Sequence, residues 1–161
     1  MNNSELETLI RNILREQLVP ATPRMQRNAI FQTVDEAVCA AHQAFLRFQQ
    51  CPLKTRSAII SAIREELMPR LTELAEESAS ETGMGNKEDK YLKNKAALNN
   101  TPGIEDLTTT ALTGDGGMVL FEYSPFGVIG SVTPSTNPTE TIINNSISML
   151  AAGNSVYFSP H

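Results

Sequence analysis

The residues best suited to chemistry stand near the end of the chain, in Thr133-Pro134-Ser135-Thr136-Asn137 and in Ser159-Pro160-His161. Each group follows a short apolar run, residues 126–132 and 155–158, with the composition of a strand buried on both faces. Between the runs, Asn137-Pro138 with Glu140 spells a helix start: a capping residue, a proline at the first helical position and an acid at the third. The free N–H groups of a helix start favour negative charge. An Asn137 amide at that point can donate to an oxygen that gains charge during a reaction. Two ordinary alternatives stand beside this reading. Asn137 can be an N-cap and nothing more, and the Ser/Thr cluster can be turn chemistry. The residue types therefore specify a pocket for a carbonyl or a cofactor and leave the reaction open.

Strand, helix and strand within about 30 residues predict a right-handed crossover in a parallel sheet. In such sheets ligands sit beyond the carboxyl ends of the strands, where both polar groups fall. Ile142, Ile143, Ile147, Met149, Leu150 and Ala151 are the expected buried positions of the crossover helix, and Gly153 ends it. Upstream, the spacing is helical. Thr33 and Glu36 have capping-box spacing, ahead of a stripe of Val34, Ala37, Val38, Ala41, Phe45 and Phe48 that is expected to be buried. Cys39 in this helix reads as a small packing residue and His42 as a partner for a polar group.

A second helix begins near Leu53 and runs toward Met68, with Ile59, Ile60, Ile63 and Leu67 inward. Pro69 forces a kink or a restart, and the pattern resumes at Leu71, Leu74 and Ala75 until Gly83, an expected C-cap. Gly83-Met84-Gly85 has neither the preceding strand nor the third glycine of a phosphate fingerprint and reads as structural. Asn86 is expected to cap one more helix, through Tyr91 to Leu98, and Thr101-Pro102-Gly103 ends it. Gly114-Asp115-Gly116-Gly117 forms a turn ahead of a strand over residues 118–123.

The opening of the chain is a separate element. Ser4 and Glu7 repeat the capping-box spacing, and Leu6, Leu9, Ile10, Ile13, Leu14 and Leu18 draw an apolar stripe. Residues 1–18 are thus expected to hold an amphipathic helix, tethered by a proline-containing linker over residues 19–29. Such a helix either packs back on its own domain or lies in a groove on a partner. Glu5, Glu7 and Glu16 balance Arg11 and Arg15, which disfavours a membrane surface, and Glu5, Glu7, Arg11 and Arg15 interrupt any apolar region, which argues against a secretory signal. With 13 Lys and Arg against 18 Asp and Glu, the net charge of -5 argues against a nucleic-acid partner. Two cysteines make neither a disulfide framework nor, without a C-x-x-C or a His cluster, a metal site, and they fit a reducing cytoplasm.

Residues 126–140, Phe-Gly-Val-Ile-Gly-Ser-Val-Thr-Pro-Ser-Thr-Asn-Pro-Thr-Glu, together with residues 151–161, Ala-Ala-Gly-Asn-Ser-Val-Tyr-Phe-Ser-Pro-His, closely resemble the aldehyde dehydrogenase superfamily. The Thr-Asn-Pro-Thr and Phe-Ser-Pro-His wording is similar to its CoA-acylating branch. Residues 81–87 join the resemblance, and residues 4–10 are similar to the encapsulation helix of members housed in propanediol-utilisation microcompartments.

The resemblance implies an α/β fold: helices, then the first βαβ unit of a Rossmann-like parallel sheet, with residues 30–161 the N-terminal part of the NAD-binding domain. It implies oxidation of propionaldehyde or a similar short aldehyde, with a cysteine thiolate as nucleophile, NAD as hydride acceptor and CoA as acyl acceptor. On the matching positions Asn137 holds the substrate oxygen, and Thr133, Pro134 and Ser135 lie beside the cofactor. Leu6, Leu9, Ile10, Ile13 and Leu14 would meet a shell protein of a cytoplasmic microcompartment.

Hydrolytic members carry Pro-Trp-Asn-Phe-Pro, with asparagine two places after the first proline; here Asn137 stands three places after Pro134. Those members place on the adenosine ribose a lysine where this chain has Ser159, and Ser159 and His161 are the expected substitutes. Neither Cys39 nor Cys51 matches the nucleophile. The chain thus reads as an N-terminal third, expected to lack turnover alone and to expose apolar surface, from a family whose longer members form homo-oligomers.

Overall fold

Thr33 and Glu36 close the anticipated reciprocal cap. The Glu36 N–H donates to Thr33 Oγ1 at 3.2 Å, and Glu36 Oε2 accepts from the Thr33 N–H at 3.3 Å. The computed structural model describes residues 29–161, which divide into two units after Ala40. The helix expected over residues 4–18, its stripe of Leu6, Leu9, Ile10, Ile13 and Leu14, and the linker up to residue 28 lie outside the described residues.

Helix α1 (Val34–Phe48) starts at this cap, but its apolar stripe is not buried as expected. Val34 is 61% exposed and Val38 37%; Ala41 alone is fully buried, and Cys39 is exposed rather than packed. A 3.6-residue period marks which face is apolar and does not say what covers it.

Helices α2 (Leu53–Leu67), α3 (Leu71–Thr82) and α4 (Lys87–Asn100) follow. Pro69 sits in a short 3-10 turn, Met68–Arg70, where α2 stops and α3 restarts. Gly83 caps α3 in the left-handed conformation at φ 65°, which a glycine adopts without strain. The side chain of Asn86 caps α4 by accepting from the Asp89 N–H at 2.8 Å.

After a second 3-10 turn, Ile104–Asp106, strands β1 (Thr110–Gly114) and β2 (Gly117–Phe121) form an antiparallel hairpin. Strand β3 (Val128–Thr133), helix α5 (Pro138–Ala151) and β4 (Ser155–Pro160) complete the order. β3 and β4 pair in parallel, Val128 opposite Ser155 through Thr133 opposite Pro160. The expected βαβ unit is therefore present.

The hairpin is an addition to the sequence reading, which placed one strand there. Its signal was Asp115-Gly116, a two-residue turn between register partners Gly114 and Gly117. Leu112, Met118, Val119, Leu120 and Phe121 on it are all between 54% and 63% exposed.

The core gathers where α5 meets the helices. Ile143, Ile147 and Ala151 recur every four residues and pack with Ile60 of α2, Leu71 of α3 and Leu98 of α4. Ile142, expected inside, is 39% exposed, and Met149 and Leu150 are half-buried. The sheet side of α5 is fastened by polar bonds. Asn145 Nδ2 donates to Ser131 Oγ at 2.9 Å, and the buried Asn154 accepts the Gly127 N–H at 3.0 Å. Helix α1 meets the amino ends of the strands, where Ser155 Oγ donates to the Ala41 carbonyl at 2.7 Å.

Candidate active site

The parallel register sets the carboxyl end of β3 beside that of β4, so Val132 faces Ser159 and Thr133 faces Pro160. The polar groups picked out in the sequence are thereby brought to one edge. Thr133 is buried, and its hydroxyl donates across the pair to the Ser159 carbonyl in a long bond of 3.4 Å that adds to the backbone ladder. Pro134 is exposed and Ser135 half-buried in the connection to α5; Ser159 and His161 are exposed. Val132, 77% exposed, shares a sheet face with Ser159, so an apolar side chain and a hydroxyl stand together on one open face.

Asn137 occupies the N-cap position of α5 with φ -137° and ψ 59°, and Pro138 follows as the first helical residue. Its side chain makes no capping bond. The backbone does the local work instead: the Asn137 carbonyl accepts from Thr141 N at 3.2 Å and Thr141 Oγ1 at 2.7 Å. The half-buried Asn137 amide is thus not spent on the helix. Its Oδ1 accepts from Lys93 Nζ of α4 at 3.3 Å. One turn earlier on α4, Lys90 is 3% exposed and donates from Nζ to the Thr136 carbonyl at 3.1 Å.

Asn94, on the same face as Lys90, is fully buried, and neither of its amide atoms has a partner among the described residues. Glu140, in the first turn of α5, accepts from Thr139 Oγ1 at 3.2 Å with one carboxylate oxygen and buries the other without a partner. None of Lys90, Lys93 and Asn94 was singled out in the sequence. The two lysine contacts span more than 40 residues, and the one signal was the three- and four-residue spacing of these side chains on a single helix.

Among the described residues no cluster of His, Cys, Asp or Glu could hold a metal ion, and no helix is long and apolar enough to cross a membrane. Cys51 is half-buried in the connection between α1 and α2. A groove of about 430 Å³ between α3 and α4, lined by Thr72, Ala75, Glu76, Lys87, Tyr91 and others, includes none of the strand-edge residues.

The sequence model of the aldehyde dehydrogenase family matches residues 21–161. The chain belongs to that family.

Among aldehyde dehydrogenases, it is 83% identical over all 161 residues to a propanal dehydrogenase (CoA-propanoylating) of Citrobacter freundii. It covers 100% of itself and 35% of that relative, so it spans about a third of the relative's length. An engineered glycolyl-CoA reductase, solved with bound NADP+, superposes with TM-score 0.78 and 53% identity over 82% of this chain and 30% of that one. A propionaldehyde dehydrogenase from the fucose utilisation bacterial microcompartment of Clostridium phytofermentans does so with TM-score 0.78 and 48% identity, over 83% and 31%. The α/β architecture expected from the resemblance, helices leading into an incomplete parallel sheet, is that of the N-terminal part of these aldehyde dehydrogenases.

Proposed function

We propose that this chain supplies the N-terminal part of an NAD-dependent, CoA-acylating aldehyde dehydrogenase that turns propionaldehyde, or a similar short aldehyde, and CoA into acyl-CoA. The observation that carries this is the 83% identity to a CoA-propanoylating propanal dehydrogenase over the whole chain. In that chemistry a cysteine thiolate bonds to the aldehyde carbon, hydride leaves, and the acyl group passes from the cysteine to the CoA sulfur. The nicotinamide, when bound, accepts the hydride.

The residues of this chain work at the edge. Thr133 adds a bond between the paired strand ends, the backbone of Pro134 and Ser135 borders the cofactor, and Ser159 on β4 and His161 just beyond it reach the same cofactor. Asn137 Nδ2 donates to the aldehyde oxygen as that oxygen takes on charge. Neither Cys39 nor Cys51 serves as nucleophile. In protein expressed from the complete reading frame, Asn137→Ala should slow CoA-dependent NAD reduction by propionaldehyde about 10²–10³-fold. Wild-type protein with no CoA-dependent turnover of any short aldehyde would sink the reading.

The same chain carries a second role in this proposal. Residues 4–18, through Leu6, Leu9, Ile10, Ile13 and Leu14, dock on a shell protein and place the enzyme inside a cytoplasmic microcompartment that degrades propanediol. The origin of the Clostridium relative in a microcompartment supports it. A fluorescent reporter fused to residues 1–18 should form puncta in cells that build shells; diffuse signal refutes docking.

A further inference from the structure

Two lysines of α4 reach the same loop by different routes. Lys90, buried, holds the Thr136 carbonyl at 3.1 Å, and Lys93, exposed, holds Asn137 Oδ1 at 3.3 Å. An ammonium has hydrogens to give and no lone pair to accept with, so only the oxygen end of an amide can face it. An asparagine side chain otherwise has two orientations that differ by exchange of O and N, and its hydrogen-bond partners decide between them. Because the Asn137 side chain makes no bond to its own helix, Lys93 is the partner that decides.

We propose that Lys93 is a positioning residue for the reaction at Asn137: it fixes the amide so that Nδ2, the donor, is turned away from α4 toward the edge where the aldehyde oxygen sits. Lys90 holds the backbone one residue earlier, so the amide pivots on an anchored chain. The cation beside Oδ1 also draws electron density from the amide and sharpens Nδ2 as a donor. The inference rests on the reading of Asn137 as the donor to the substrate oxygen, and it goes beyond it by naming what keeps that donor facing the right way.

The test uses protein expressed from the complete reading frame, with propionaldehyde, NAD and CoA. The exposed Lys93 is varied, and the buried Lys90 is left intact. Lys93→Met should lower kcat about ten-fold and leave KM for propionaldehyde within about two-fold, the pattern of an interaction felt in the transition state. Lys93→Arg should restore most of the rate. Lys93→Glu should be slower than Lys93→Met, because a carboxylate accepts the Nδ2 hydrogens and turns the amide end for end.

In an Asn137→Ala background, Lys93→Met should cost nothing further, since a residue that acts through another has no effect once that one is gone. Wild-type rates in Lys93→Met and Lys93→Glu, with Asn137→Ala slow, overturn the positioning role and leave Asn137 standing. Multiplying losses in the double variant also overturn it, for Lys93 then acts elsewhere. A fast Asn137→Ala enzyme removes both.

Discussion

Asn154 is the most telling single residue of the βαβ unit. It is 2% exposed; its Oδ1 accepts the buried Gly127 N–H at 3.0 Å, and its Nδ2 donates to the Met149 carbonyl at 3.3 Å. One side chain thus joins the entry of β3 to the exit of α5. Asn154→Ala leaves the Gly127 N–H buried without an acceptor, which costs about 1–3 kcal/mol. The Met149 carbonyl fares better, because it still accepts from the Asn154 backbone N–H at 2.9 Å. Its lost second bond adds about 0.5 kcal/mol.

The sum is a loss of about 1.5–3.5 kcal/mol, measured by urea denaturation followed by circular dichroism. Amide hydrogen exchange gives the local readout. Gly127 should lose protection, while Ser155 N, bonded to the Gly127 carbonyl at 2.9 Å, should lose less. A stability change below about 0.5 kcal/mol, typical of surface sites, together with unchanged exchange at Gly127, would refute the reasoning.

Ile147→Ala, at a fully buried position where α5 meets three other helices, should cost about 2–5 kcal/mol by the same denaturation assay. The Glu105 carboxyl is held below its usual range chiefly by the Gly103 N–H at 2.7 Å, so its stabilisation is present above its unfolded pKa and lost as pH falls through the lower folded value. Glu105→Gln should accordingly flatten the fall in Tm on the acid side of about pH 4. Gly127 adopts φ 117°, so Gly127→Ala should lower the melting temperature through backbone strain, with the added Cβ only in ordinary contact with Phe45 at 3.7 Å. The exposed hairpin should make the isolated chain associate at high concentration, and Leu120→Glu should shift its sedimentation toward monomer.

Local chemistry was legible where one or two neighbouring residues decide the outcome. The Thr33–Glu36 cap, the break at Pro69, the left-handed Gly83 and the Asn86 cap are all settled within a single turn of chain. The parallel pairing of β3 and β4 was legible because an interposed helix permits little else. What escaped depends on distant partners. The α1 stripe is apolar by spacing, yet its burial is set by other surfaces. Asn137 has the residue type of an N-cap, but its amide oxygen goes to Lys93, 44 positions away. β1 escaped because Thr110, Leu112 and Thr113 become a strand only once Asp115-Gly116 folds them against β2.

The bond from Gly127 to Asn154 closes only 27 residues, whereas the lysine contacts to the loop close 44 and 46. Short closures lose less chain entropy and form faster. During synthesis the strand–helix–strand segment should therefore assemble as a late, rapid step onto helices already made, with the active-site loop tightened last.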